Sequence, residues 1–216
     1  MALKQILFVR HGRTDWNNEQ RYQGHSDVPL NEEGLDQARR VSLRLASFQA
    51  ELIVSSPLQR AAQTAAIIAE HQVSTSILLR KGLEEIGFGE WEGLTVTEVE
   101  ACFPEEHRRW RQDPSSTVPG GGESFSSVQQ RVDNVLKEIM TREEERILVV
   151  AHGGTIRTAL VSLLGVSSSL VWRMRLDNCS ISCIQAYRGL SMLSFLNDAT
   201  HLYVESELVR DLPILL

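Results

Sequence analysis

The sequence has few cysteines, and they fit neither a disulfide framework nor a zinc site. Cys102, Cys179 and Cys183 are odd in number, and their spacing matches neither pattern. Cys179 and Cys183 are four residues apart in a segment predicted as a strand, so both side chains should lie on one side of it. We expect these two to be small buried apolar residues, as free cysteines usually are.

Further absences narrow the class of protein. No apolar run is long enough for a transmembrane helix, and the first residues lead into a strand without a signal-peptide pattern. The net charge is −6, whereas a general nucleic-acid-binding protein presents a basic stripe. His25, His71, His107 and His201 are scattered without metal-ligand spacing. We expect a cytoplasmic protein with no metal, no cofactor, and neither nucleic acid nor membrane as a partner.

The elements alternate between strands and helices. Apolar runs predict strands at 5–9, 51–54, 77–79, 147–151, 181–187 and 192–196. Helical patterns occupy 31–48, 95–102, 104–112, 123–142 and a segment from 153. A further helix should begin with Ser56 as its N-cap and Pro57 as its first residue. This order predicts an α/β three-layer sandwich with a mostly parallel central sheet. We expect one domain over 1–216, with a cap-like insertion around 95–122 and the last two strands at the sheet edge.

Two His-Gly pairs stand where apolar runs end. His11 follows the first predicted strand, and His152 follows the strand at 147–151. Ligands collect at the carboxyl ends of strands in an open α/β sheet, so we expect these histidines to meet there. A histidine next to Arg10 and facing a second histidine suits a phosphohistidine reaction, because histidine can act as a nucleophile and arginine binds phosphate through two hydrogen bonds.

Six sequence strings in order resemble the histidine phosphatase superfamily, the phosphoglycerate-mutase-like proteins. They are RHGRTDWN (10–17), DVPLNEEG (27–34), SSPLQRA (55–61), FGEWEG (88–93) with Glu85 before it, GESF (122–125) and AHGG (151–154). The resemblance covers residues 6 to about 165. It implies a phosphoglycerate mutase-like fold and phosphoryl transfer through a phosphohistidine.

The resemblance also implies roles for four basic residues. His11 matches the nucleophile, which needs one ring nitrogen free and the other held, usually by a backbone carbonyl near Gly12. Arg10 and Arg60 match the arginines that grip the phosphate. Arg60 falls in a helix first turn, a poor place for a cation unless it serves an anion there. His152 matches the second histidine, which contacts the phosphoryl oxygens.

Acidic residues supply the proton chemistry in this family. Glu85 matches the general acid that protonates the leaving oxygen and then activates water. Glu84 is its rival by composition, and the spacing to Gly89 selects Glu85. Glu123 and Ser124 match residues near the pocket of relatives, but an acid and a serine at a helix start are equally ordinary.

Weaker matches suggest further contacts to substrate. Asn17 resembles a residue that hydrogen-bonds the phosphoryl group, with a turn asparagine as the alternative. Gln23 and Gly24 stand where the family contacts phosphate or substrate. Gly153 opens a helix whose free N–H groups should attract an anion.

The compactness of the chain favours a phosphatase. Cofactor-dependent mutases of the family carry an extra segment where only about thirty residues separate Gly93 from Glu123 here. This resembles the branch with α-ribazole phosphatases and broad-specificity phosphatases. We expect metal-independent hydrolysis of a small phosphomonoester, such as α-ribazole 5′-phosphate, a sugar phosphate or phosphoglycerate, through a phosphohistidine.

Two other functions stay open, a phosphoglycerate mutase and a non-catalytic protein of the same fold that binds phosphate ligands. The acidic residues Glu84, Glu90, Glu92 and Glu98 predict a substrate with an alcohol or sugar-like body rather than a polycarboxylate. The strands at 181–196 are candidates for pairing across a homodimer.

Overall fold

The computed structural model describes residues 3–72 and 76–203, and one sheet runs through them. Its strands are β1 (Lys4–Arg10), β2 (Leu52–Ser55), β3 (Ile77–Leu79), β4 (Arg146–Ala151), β5 (Ile181–Tyr187) and β6 (Leu190–Asp198). They lie in the order β3-β2-β4-β1-β5-β6. β3, β2, β4 and β1 pair parallel with one another, whereas β5 pairs antiparallel with both β1 and β6. The predicted mostly parallel sheet is confirmed.

Helices cover both faces of the sheet. They are α1 (Asp15–Asn18), α2 (Glu32–Leu45), α3 (Gln59–Ala69), α4 (Val96–Cys102), α5 (Pro104–Gln112), α6 (Phe125–Thr141) and α7 (Gly153–Leu164). One buried cluster joins α2 and α3 to the sheet, and a second joins α6 and α7 to its other face. This is the predicted three-layer arrangement.

Alternation along β1 shows why a continuous apolar run forms this strand. Ile6 and Phe8 belong to the cluster beneath α6 and α7, whereas Leu7 and Val9 belong to the cluster beneath α2 and α3. Successive side chains of a strand point to opposite faces, so a strand covered on both faces is apolar throughout.

The helix after β2 begins later than predicted. Its N-cap is Leu58, without a side-chain hydrogen bond, and Ser56 precedes it as a fully buried residue. The Ser56 hydroxyl makes a hydrogen bond to His152. The prediction of Ser56 as N-cap and Pro57 as the first helical residue is therefore wrong: the hydroxyl accepts from Leu58 N–H in a turn before the helix, which begins at Gln59.

Two expectations about the end of the chain also need correction. β5 is an internal strand between β1 and β6, so of the two predicted edge strands β6 alone lies at a sheet edge. Cys179 precedes β5 in a turn at φ +53° instead of sharing a strand with Cys183. Both thiols are buried, as expected. The tail after Glu205 and the predicted limits of the domain, 1 and 216, lie outside the described residues.

The segment predicted as a cap contains α4 and α5. Trp110 of α5 packs edge-on against Trp91, with ring centroids 6.0 Å apart, and against Trp172, at 5.3 Å. This aromatic contact ties the segment to the second buried cluster. No helix in the part of the chain that the structure describes is long and apolar enough to cross a membrane.

Candidate active site

His11 and His152 meet at the carboxyl ends of two adjacent strands. β1 and β4 are parallel neighbours in which Arg10 lies opposite Ala151, so the next residue of each strand falls side by side. The two imidazole centroids are 5.1 Å apart with an interplanar angle of 55°. Both rings are buried. The prediction that these histidines meet is confirmed.

The His11 ring has a defined tautomer. Its Nδ1 lies 2.7 Å from the carbonyl oxygen of Gly12. A carbonyl only accepts, so Nδ1 carries the proton and the Nε2 lone pair is left free. Burial, followed by the charges of Arg60 and Arg10, holds the pKa of His11 well below its usual range. The imidazole is therefore neutral, and the expected carbonyl partner is confirmed.

His152 is fixed from both sides of its ring. Arg60 Nε donates to its Nδ1 at 3.2 Å, so the neutral ring carries its proton on Nε2, which donates to Ser56 Oγ at 2.8 Å. Burial, then the charges of Arg60 and His11, holds the pKa of His152 well below its usual range. Sequence reasoning missed Ser56 as a site residue, although it lies in one of the matched strings.

Arg60 is a buried cation at the start of α3. Its Nη1 donates to the carbonyl of Ser26 and its Nη2 to that of Gly24, both at 2.8 Å. Burial lowers the pKa of Arg60 to about 10, which leaves the guanidinium charged at neutral pH. An orientation of the Arg60 side chain toward solvent is excluded, because it is fully buried between His152 and the loop that contains Gly24 and Ser26.

The loop beneath Arg60 is organised by Glu92. Its Oε1 accepts from the N–H groups of His25 and Phe88, both at 3.0 Å, and its Oε2 accepts from the N–H and hydroxyl of Ser26. Gly24 has φ +50°, and a Cβ there would collide with the Glu92 carboxylate. Glu92 thus fixes the carbonyls that hold Arg60.

Arg10 presents an unused donor next to His11. Its Nη1 donates to Leu176 O at 2.7 Å, whereas its buried Nε has no hydrogen-bond partner in the described part of the chain. Unpaired buried N–H groups are costly and rare. This donor is therefore suited to a ligand oxygen.

The Glu85 carboxylate lies at the amino end of α7. It accepts from the N–H groups of Gly154 at 3.1 Å, Thr155 at 3.2 Å and Ile86 at 3.0 Å. The expected anion-binding donors of this helix are thus in part occupied by a protein carboxylate, since a helix start attracts negative charge from any source. The neighbouring Glu84 contributes its backbone carbonyl, which accepts from Thr155 Oγ1.

Arg131 of α6 fixes the backbone on which Glu85 stands. Its Nη1 donates to the carbonyls of Gly82 at 2.9 Å and Glu84 at 2.6 Å, and its Nη2 donates to that of Glu85 at 2.8 Å. Sequence reasoning missed Arg131, because nothing local to α6 marks it among other polar helix residues.

Glu123 and Ser124 have separate roles. Ser124 is the N-cap of α6 and accepts from Ser127 N–H, which is ordinary helix chemistry. Glu123 forms an ion pair with Arg131 at 2.8 Å and contacts His25 at 3.3 Å. Burial opposes ionisation of Glu123, but hydrogen bonds from His25 and Arg131 outweigh it and lower its pKa to about 2.

Asn17 lies at the edge of this cluster. Its Oδ1 accepts from Thr14 N–H at 3.1 Å and from Asn178 Nδ2 at 3.3 Å, and it completes the capping box of α1. Asn17 therefore does serve as a turn residue. Its amide nitrogen makes no hydrogen bond to the described residues. Gln23 Oε1 accepts from Thr14 Oγ1 at 3.0 Å. Asn178, which also donates to His11 O, was missed because it lies beyond the matched strings.

A family model described as histidine phosphatase superfamily (branch 1) matches residues 6–199. This chain belongs to that superfamily. The family expected from the six strings is confirmed, and with it the expectation of an enzyme that hydrolyses phosphoric monoesters. Within the described residues, no group of three or more His, Cys, Asp or Glu side chains is arranged to hold a metal ion.

Characterised relatives are similar over nearly the whole chain. Phosphoserine phosphatase 1 of Hydrogenobacter thermophilus is 36% identical over 205 residues, which cover 93% of this chain and 97% of the relative. Adenosylcobalamin/alpha-ribazole phosphatase of Escherichia coli is 28% identical over 194 residues, covering 89% and 95%. The structure of phosphoserine phosphatase from Entamoeba histolytica with 3-phosphoglyceric acid has a TM-score of 0.80 and 28% identity, covering 93% and 100%.

Proposed function

We propose that this protein hydrolyses a small phosphorylated metabolite through a phosphohistidine on His11, without a metal ion. The proposal depends on the state of the His11 ring. Its Nδ1 donates a hydrogen bond to Gly12 O, which leaves the Nε2 lone pair available for attack. The cations of Arg10 and Arg60 lie close to the His11 ring, and the His152 ring is 5.1 Å away. Relatives named as phosphatases of phosphoserine and of α-ribazole phosphate support a small substrate.

In the first step, His11 Nε2 attacks phosphorus and the bond to the leaving oxygen breaks, so that its electron pair goes to that oxygen. Glu85, in its protonated form, gives the leaving oxygen a proton. Arg10 Nε and Arg60 neutralise the charge on the phosphoryl oxygens, which is the main demand of this transfer.

His152 takes part after an exchange of partners. Its Nδ1 accepts from Arg60 in the structure, so it cannot donate to an oxygen in that state. A bound phosphoryl dianion favours the charged imidazole, which gains a proton on Nδ1 and can then donate to a phosphoryl oxygen. Ser56 keeps the ring in place through Nε2.

In the second step, the Glu85 carboxylate removes a proton from water, and the water oxygen attacks phosphorus. The bond between phosphorus and His11 Nε2 breaks, and its electron pair returns to the ring. Inorganic phosphate leaves, and Glu85 holds the proton needed for the next cycle. The three N–H groups that hold its carboxylate support this role by fixing its position.

The remaining predicted contacts belong to the same proposal. Asn17 binds a phosphoryl oxygen through its amide nitrogen, and Gly153 does so through its N–H at the start of α7. Gln23 lines the substrate side, and Gly24 acts through the carbonyl that holds Arg60. The segment around 95–122 covers the site as a cap within one domain.

We also propose a cytoplasmic enzyme that binds neither nucleic acid nor membranes and that pairs as a homodimer. The support for the pairing is β6, an edge strand on which Leu190 and Met192 are exposed.

The test is phosphate release from a panel of phosphomonoesters in excess chelator, with 2-phosphoglycerate formation from 3-phosphoglycerate followed alongside. Phosphate release without isomerisation is expected. Rapid isomerisation with little free phosphate would make the protein a mutase, and ligand binding without turnover would make it a binding protein. Enzyme mixed with substrate and quenched in base should carry one phosphoryl group, which acid then removes. The His71→Ala control should carry this group, and His11→Ala should not.

A further inference from the structure

Arg157 is a cation near the site that the proposed reaction does not use. It lies on α7, one turn after Gly153, and its Nε donates to Met174 O at 2.6 Å. Its guanidinium carbon is 5.4 Å from the centroid of the Trp172 ring. The carbonyl and the ring hold the side chain in one orientation.

Arg157 has no ion-pair partner in the described part of the chain, although the carboxylates of Glu85 and Asp177 act on its charge from beyond ion-pair distance. Its two Nη atoms make no hydrogen bond within residues 3–72 and 76–203. Both Nη atoms are accessible to solvent, so a ligand can reach them. Burial lowers the pKa of Arg157 only to about 10, so the group stays charged at neutral pH. A half-buried cation with free donors is suited to an anion from outside the chain.

The free donors lie beside the phosphoryl site. The position that a Cβ on Gly153 would occupy is 3.1 Å from Arg157 Nη1, 3.7 Å from Arg10 Nε and 3.8 Å from Glu85 Oε2. Arg10 is the proposed phosphoryl ligand, and Glu85 is the proposed donor to the leaving oxygen. An anion on Arg157 therefore belongs to the leaving group, a short distance from the ester oxygen.

Two of the four acidic residues that predicted an alcohol or sugar-like body are engaged elsewhere in the fold. Glu92 is occupied by the loop under Arg60, and Glu98 by the capping box of α4. The carboxylates that act on the charge of Arg157 are instead those of Glu85 and Asp177, and neither forms an ion pair with it within the described residues.

Building on the proposed function, we infer that Arg157 binds a carboxylate of the substrate. The substrate class is then a short phosphorylated carboxylic acid, in which the carboxylate and the phosphate ester are a few bonds apart. Arg157 is a specificity-determining residue, and the planar guanidinium can donate to both carboxylate oxygens.

The test uses two substrates that differ in one group, phosphoserine and phosphoethanolamine, which lacks the carboxylate. Arg157→Gln should lower kcat/KM for phosphoserine by about 10- to 100-fold, the range expected for a hydrogen bond to a charged group. It should change kcat/KM for phosphoethanolamine by less than about threefold, because that substrate has no group for Arg157 to bind. Inhibition by inorganic phosphate should also be unchanged.

Arg173→Gln is the matched control, because it removes an exposed arginine from the adjoining segment and should alter neither substrate. An equal loss for both substrates in Arg157→Gln would assign Arg157 to the contacts with Met174 and Trp172 and overturn the inference. So would a wild-type enzyme that hydrolyses both substrates equally well. Absence of hydrolysis of any phosphomonoester, p-nitrophenyl phosphate included, would instead overturn the proposed function.

Discussion

Arg60 Nε and His152 Nδ1 are hydrogen-bonded at 3.2 Å, although 92 residues separate them in the chain. The bond assigns the proton of His152 to Nε2 and directs it at Ser56. It also places a cation against the imidazole, which adds to the effect of burial in lowering the pKa of His152. Binding of a phosphate dianion would reverse this balance, so the pair is prepared to respond to substrate.

His11→Ala removes the proposed nucleophile and should lower kcat by at least about a thousandfold, the scale of nucleophile removal in other enzymes. The fold should persist, because the ring makes a single side-chain hydrogen bond, to Gly12 O. Phosphate release and circular dichroism of the purified variant check both points. Substantial residual hydrolysis would mean that the nucleophile is elsewhere.

Ser56→Ala removes the acceptor for His152 Nε2 and should lower kcat about tenfold, because the ring loses its anchor. The unfolding free energy should fall by about 1–3 kcal/mol, the cost of an unsatisfied buried donor. Ser55→Ala is the matched control, since the Ser55 hydroxyl is also buried but donates only to the Ser56 carbonyl. If both variants lost the same activity, Ser56 would have no special link to His152.

Arg131→Gln should lower kcat without altering inhibition by phosphate, because Arg131 positions the Glu85 backbone and touches no substrate. It should also destabilise the fold by about 1–3 kcal/mol, since three backbone carbonyls lose a charged donor and the half-buried Glu123 carboxylate loses its ion pair. Arg108→Gln breaks an exposed pair with Glu105 and should leave stability nearly unchanged, because water and salt screen exposed ion pairs. A phosphate inhibition constant that shifts together with kcat would argue against a purely positional role.

Stability should fall as pH drops below about 6.5, because burial first and Arg60 second lower the pKa of both His11 and His152. Between the lowered pKa values and about 6.5, the two histidines are protonated in the unfolded chain but neutral in the folded chain. The unfolding free energy therefore rises with pH by up to about 1.4 kcal/mol per pH unit for each ring. Urea unfolding between pH 5.5 and 7.5 measures the slope. His11→Asn should reduce it by one ring's share, and an unchanged slope would contradict the assigned pKa direction.

The same lowered pKa affects the activity profile. His11 is neutral throughout the range where an ordinary histidine gains its proton. The acid limb of kcat/KM should therefore not have a midpoint at pH 6.5 but lie well below it. If a midpoint near pH 6.5 disappears when a substrate of different phosphate pKa is used, that midpoint reports the substrate. A midpoint near pH 6.5 with every substrate would contradict a neutral His11.

Sequence alone determined the order of strands and helices, the three layers and the two His-Gly pairs at the strand ends. These features follow from patterns within a few residues of one another. The short apolar run before His11 predicts a strand covered on both faces, and the stripe of Val128, Val132 and Ile139 predicts a helix with one face buried against it. The motif strings added the identity of His11, Arg10, Arg60, His152 and Glu85 as candidates.

Only the tertiary structure decided which distant groups these residues meet. Ser56 was predicted to cap its own helix, but β2 and β4 are adjacent, and this brings its hydroxyl to His152. Glu85 reaches the amino end of α7, and the guanidinium of Arg157 lies near it beside Gly153. Periodicity along the chain contains no information about which strands are neighbours, so contacts that depend on strand order follow from the packed fold alone.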